Sequence, residues 1–90
     1  MDINNAQIEW IGEIENTSNG KHKLAIDVST ASTPKKRYIV YSNDKYAFDL
    51  VRKFKSKEFK VGDIISFNFN APTGNYFPSI WRIANHKSKQ

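Results

Sequence analysis

Residues 35–41, KKRYIVY, set three consecutive cations against a strand-like run whose two tyrosines stand three apart. Clustered cations hold phosphates by releasing counterions, and a tyrosine ring offers a face on which a nucleobase can stack. Lys35, Lys36, Arg37 and Tyr41 therefore carry the ingredients of both contacts within one short segment. Lys21 and Lys23 lie beside the preceding hairpin, and Arg82 on the last apolar run could extend the cationic track. Each stacked base would contribute about 1–3 kcal/mol. Tyrosine also packs in any strand. The neighbouring positive charge is what favours stacking at Tyr41 over simple packing.

Catalytic chemistry finds little to work with. His22 and His86 are isolated in sequence and sit beside lysines, and no acidic cluster completes a metal site around either. The chain has no cysteine, which removes disulfides, thiolate zinc sites and cysteine nucleophiles together. Ser29, Ser32 and Ser42 have no base at sequence range, and no nucleophile elbow or phosphate-loop motif occurs. Glu13 and Glu15 share a strand face, an arrangement more usual of solvated carboxylates than of an acid–base pair. The expectation is a non-enzyme without metal or cofactor.

The elements that must position these residues belong to one domain, residues 1–90, with a core spanning about 6–84 and a basic polar tail at 85–90. Hydrophobic residues make up 39% and charged residues 26%, a globular rather than a disordered balance. The opening MDINNAQIEW is acidic and polar, unlike a secretory signal, and no apolar window could span a bilayer. A soluble, cytoplasmic domain is expected. The formal net charge is +5, unevenly spread. Residues 1–34 carry five acids against Lys21 and Lys23, whereas residues 35–60 carry nine cations against Asp44, Asp49 and Glu58. A basic middle favours a polyanionic partner.

Residues 8–15, IEWIGEIE, alternate with Ile8, Trp10, Gly12 and Ile14 on one face, the pattern of a half-buried strand. Asn19-Gly20 marks a hairpin turn into KHKLAIDVST, where Leu24, Ile26 and Val28 face inward and Lys23, Ala25, Asp27 and Ser29 outward. RYIVYS forms a third strand. Asn43 or Asp44 can cap a helix whose stripe is Ala47, Phe48, Leu50, Val51 and Phe54. The stretch RKFKSKEFK reads as a solvated helix end whose cations suit the helix dipole, with a second phosphate patch as the alternative. Ile65, Phe67 and Phe69 line the inner face of a fourth strand, and residues 77–84 form a fifth around Pro78. Trp10, Phe67 and Phe69 share faces with aliphatics and are expected in the core. The fold expectation is all-β: a five-stranded OB-fold Greek-key barrel with one short helix between strands three and four. Gly12 would let a strongly coiled first strand bend. A mixed α+β sheet is the competing architecture.

Over residues 6–84 the chain resembles the OB-fold single-stranded-DNA-binding protein superfamily, and within it the small OB-fold proteins of bacteria and their phages. The resemblance rests on the ordered set IEWIGEI, GKHKLAIDV, KKRYIVYSNDKYAFDLVRKF, FKVGDIISFNF and NYFPSIWRI. It implies non-catalytic binding of single-stranded DNA by aromatics and cations across strands two and three and the hairpin loops. It places Lys35, Arg37, Ile39 and Tyr41 on the ligand-facing side of strand three, with Tyr38 and Val40 inside. Tyr76 and Phe77 fall in the loop before strand five, where the family often uses an aromatic. Two features depart from the family: the end NHKSKQ is basic rather than acidic, and the loop APTGNY is short.

The function expected is binding of single-stranded nucleic acid, DNA before RNA, with low sequence specificity. In that scheme Lys35, Lys36 and Arg37 hold phosphates, Tyr41, Tyr76 and Phe77 meet bases, and Lys21, Lys23 and Arg82 flank the groove. A protein-interaction module, adaptor or inhibitor, is the alternative; its mark would be an exposed apolar patch on the same sheet. Membrane binding would need an amphipathic helix with a large apolar face, which the sequence lacks. Homo-oligomerisation and the choice between DNA and RNA stay open.

Overall fold

The computed structural model describes residues 1–16, 22–41, 47–72, 74 and 76–88, with the side chains of 47–49 left aside. The elements run β1 (Asp2–Ile11), β2 (Glu15–Asn16), β3 (His22–Ser29), β4 (Lys36–Tyr41), α1 (Ala47–Lys55), β5 (Ile64–Asn70) and β6 (Ser79–Lys87). Five long strands, one two-residue strand and one short helix give a mostly β molecule. The expected hairpin turn at Asn19-Gly20, the Lys21 beside it and the helix caps Asn43 and Asp44 lie outside the described residues.

The strands form one sheet in the order β1-β5-β6-β4-β3-β2, and β1 also pairs with β3. All pairings are antiparallel except β4 with β6, where Ile39 and Val40 face Ser79 and Ile80 in parallel register. β3 and β4 pair without interruption from Lys23↔Tyr41 to Val28↔Lys36. Alternation then sorts their side chains as expected: Leu24, Ile26, Val28, Tyr38 and Val40 are buried. Ile65, Phe67 and Phe69 of β5 join them, together with Leu50, Val51 and Phe54 of α1, in a single core. Burying a side chain such as Phe67 or Leu24 contributes about 1.5–3 kcal/mol. Tyr38 is the centre of an aromatic cluster, its ring 5.0 Å from Phe67 and 5.3 Å from Phe69, both edge to face.

β1 departs from simple alternation twice. Its pairing with β5 slips between Ile3 and Ala6, where Asn5 adopts a positive φ of 57° and its N–H donates to Ser66 Oγ. Its pairing with β3 slips between Ile8 and Trp10. The second bulge corrects the expectation for Trp10. An extra residue reverses the inside–outside phase, so Trp10 leaves the core face occupied by Ala6 and Ile8 and stands 43% exposed. Ile11, expected on the outer face, packs partly against the core instead. Gly12 follows directly after β1. Its N–H donates to the Ala25 carbonyl, and a Cβ there would come within 2.7 Å of Trp10 Cη2. The missing side chain makes room for the indole.

Part of the expected polar tail is strand. β6 continues to Lys87, pairing Asn85, His86 and Lys87 with Ser66, Ile65 and Ile64. His86 Nε2 lies 2.7 Å from Oδ2 of Asp63, a carboxylate only 2% exposed that also accepts the Lys60 N–H. Gly62, at a φ of 98°, supplies the left-handed turn that lets its N–H reach the Ile8 carbonyl and the Asp63 carbonyl accept from Ile8. No described helix is long and apolar enough to cross a membrane.

Candidate functional site

The inward alternation of β3 and β4 dictates what their other face presents. With Leu24, Ile26, Tyr38 and Val40 inside, the cross-strand pairs Lys23↔Tyr41, Ala25↔Ile39 and Asp27↔Arg37 stand side by side on the outside. The parallel junction with β6 adds a second layer. The Ile39 N–H donates to the Pro78 carbonyl at 3.0 Å, which anchors the end of the 71–78 loop beside β4. Tyr76 and Phe77 precede that anchor and are 76% and 52% exposed.

These groups enclose a cleft of about 340 Å³. Its floor is Leu24, Ala25 and Ile39; Lys23, Arg37, Tyr41, Tyr76 and Phe77 surround it, and Glu15 of β2 closes one side. Five of the nine residues expected to contact nucleic acid thus line one depression. Three of the others, Lys35, Lys36 and Arg82, are not among its lining residues. Lys35 is exposed one residue before β4 and outside the cleft lining. Lys36 has the same alternation as Tyr38 and Val40, and its Nζ lies 5.7 Å from the Tyr38 ring centroid, over the edge of the core. The expected phosphate-holding trio is therefore split between two sides of the strand. Arg82 is exposed on β6, where Nη1 donates to Asn68 Oδ1 at 3.2 Å, away from the cleft. Lys21 is not among the described residues.

Arg37 has a more constrained role than a free phosphate clamp. Its Nε donates to Asp27 Oδ1 at 2.9 Å and its Nη2 to Oδ2 at 3.3 Å, the fork-to-fork geometry of a guanidinium on a carboxylate. Asp27 is 6% exposed although it belongs to the outer alternation of β3, because Trp10 of β1 and Arg37 of β4 flank it. The hydrogen bond to Asp27, then its charge, raises the Arg37 pKa above its ordinary value. The guanidinium carbon lies 4.9 Å from the Trp10 ring centroid and 5.8 Å from that of Phe77. Both are cation–π distances. The site therefore sets a planar cation within cation–π distance of two exposed aromatic rings, Trp10 beside the cleft and Phe77 in its lining, with Tyr41 and Tyr76 in the same lining.

Two members were not identified from sequence. Trp10 was hidden by the bulge, and only its pairing opposite Asp27 reveals it. Asp27 was placed on the correct face, but its sequence neighbours Ile26 and Val28 give no sign of the cation that strand pairing brings opposite it. Among the described residues, no three His, Asp or Glu side chains gather as metal ligands do. In chemical terms the arrangement can stack flat rings and attract one or two anionic groups. No protein-family model, curated protein or solved structure matches the chain.

Proposed function

We propose that this chain is an OB-type barrel that binds single-stranded nucleic acid non-catalytically, with DNA as its principal ligand and little base specificity. The barrel reading is supported by pairings that can be followed in a ring: β1 with β3, β3 with β4, β4 with β6, β6 with β5, and β5 back to β1. The observation that carries the binding reading is the convergence of Lys23, Arg37, Tyr41, Tyr76 and Phe77 on one cleft. Cations and π-faces along one groove are what an unpaired strand requires, since every base has a face to stack and every nucleotide a phosphate. Low specificity follows because stacking does not distinguish bases.

The test is a fluorescence titration with oligo(dT) across a salt series. Binding should quench Tyr or Trp emission, and log K should fall against log salt by about 0.7 per phosphate contacted. Tyr41→Ala should weaken binding by about 1–3 kcal/mol while the far-UV circular dichroism stays unchanged. Absence of quenching at low salt would transfer the cleft, with its exposed Tyr76 and Phe77 and the exposed Trp10 beside Arg37, to the protein-interaction reading.

A further inference from the structure

The basic run RKFKSKEFK is left unused by the β3–β4 cleft, and its surroundings are not those of an ordinary solvated helix end. Where α1 finishes, a second cleft of about 390 Å³ opens between the helix, the 60–61 turn and the end of β1. Its apolar lining is Ile11, Phe54, Phe59 and Val61. Phe54 and Phe59 belong to the core, 6% and 3% exposed, whereas Val61 stands 54% exposed. Its basic lining is Lys55, Lys57 and Lys60, all exposed, and no carboxylate is among its lining residues. Lys57 holds a positive φ of 63° two residues beyond the helix, where glycine is the unstrained choice. A side chain kept in such a conformation is a reason to ask what it serves.

We propose that this second cleft receives an acidic segment of a protein partner, seating an apolar side chain against Val61 and the edges of Phe54 and Phe59 while carboxylates meet Lys55, Lys57 and Lys60. Charge complementarity selects the acidic chemistry. The lining selects peptide over nucleic acid. The exposed apolar residue is an aliphatic valine, and both phenylalanines are packed into the core, so no open aromatic plane is offered to a base. An aliphatic floor with a cationic rim suits a Leu or Phe set among Asp and Glu. The site is independent of the β3–β4 cleft and does not require that cleft to bind nucleic acid.

The probe is a short fluorescein-labelled peptide alternating Asp and Glu with Leu and Phe, with a control in which Ser replaces the apolar residues. Fluorescence anisotropy should show saturable binding of the first peptide and loss of roughly tenfold or more in affinity for the control. Val61→Asp and Lys57→Glu, both at exposed positions, should each weaken peptide binding by a similar factor, whereas Tyr41→Ala should leave it unchanged. Unlabelled oligo(dT) should not displace the peptide. Equal binding of both peptides, or displacement by oligo(dT), would overturn the proposal in favour of a non-specific or phosphate-binding basic surface. Sedimentation showing a wild-type dimer that Val61→Asp dissociates would overturn it in favour of a second copy of this chain. Circular dichroism of each variant separates loss of binding from loss of fold.

Discussion

Asp27 governs the chemistry of the β3–β4 cleft without being its most exposed member. By engaging Nε and Nη2 of Arg37 it holds the guanidinium within cation–π distance of Trp10 and Phe77 and leaves it less free to act as a phosphate clamp. Asp27→Asn removes the negative charge while keeping a carbonyl acceptor. Arg37, now free to meet a phosphate, should steepen the salt dependence of oligo(dT) binding by about 0.7 in slope. Because the pair is partly solvated, the same change should lower stability by only about 1 kcal/mol, read by urea denaturation. Tyr38 offers a prediction of a different kind. Burial raises its pKa above the ordinary 10.0, so the native state retains the phenolic proton at pH values where the unfolded chain has released it. Stability is thus complete below about pH 10 and falls as the pH climbs above it. Tyr38→Phe keeps the edge-to-face contacts with Phe67 and Phe69 and should flatten that alkaline decline in thermal denaturation. The burial of Tyr38 was expected from the family resemblance alone, because the apolar run RYIVYS does not choose its inner face by periodicity. The exposure of Trp10 was not.

At the scale of the element, the difference between those two residues is a single extra amino acid. β3 and β4 pair in unbroken register, so the inward positions Leu24, Ile26 and Val28 read from the β3 pattern are buried. Tyr38 and Val40, which the resemblance placed inside, are buried too; Asp27, read as outward, is covered by its neighbours. β1 carries two register shifts, set by backbone pairing with β5 and β3; the second falls within IEWIGEIE, whose simple alternation does not announce it. The end of β6 was missed for a related reason. Asn85, His86 and Lys87 look like a polar tail until β5 and the buried Asp63 supply partners. The helix end shows the opposite balance, with sequence and backbone in mild conflict. The Lys57 N–H donates to the Phe54 carbonyl and the Glu58 N–H to the Lys53 carbonyl, a Schellman closure with lysine at the left-handed position. A non-glycine residue there costs about 1–2 kcal/mol, and glycine's greater freedom in the unfolded chain offsets about 0.4–1 kcal/mol of any gain. Lys57→Gly should therefore stabilise the protein by roughly 0.5–1 kcal/mol, raising the melting temperature by a few degrees. A stabilised variant that no longer binds the acidic peptide would show what the strained lysine contributes.

For the molecule as a whole, the formal charge of +5 overstates what the β3–β4 cleft can offer a polyanion. Arg37 is committed to Asp27, Glu15 borders the cleft, Lys36 lies over Tyr38, and Arg82 is on another part of the sheet. Much of the remaining charge, from Lys55 to Lys60, surrounds the second cleft. Lys23 in the cleft and Lys35 at the start of β4 are the described cations still available to a strand lying along this face, with Lys21 the nearest further candidate in sequence. Two or three phosphate contacts correspond to a salt slope between about −1.4 and −2.1, and engagement of all six cations first expected would give roughly −4. The measurement is the oligo(dT) affinity at several salt concentrations, with the slope taken from the logarithmic plot. A value near −2 with strong aromatic quenching fits a strand held chiefly by stacking on Tyr41, Tyr76 and Phe77, whose contribution salt leaves largely intact. A value near −4 would mean that the strand runs beyond the cleft onto the cations of neighbouring faces, and Arg82→Ala and Lys36→Ala would then each reduce the slope by about 0.7.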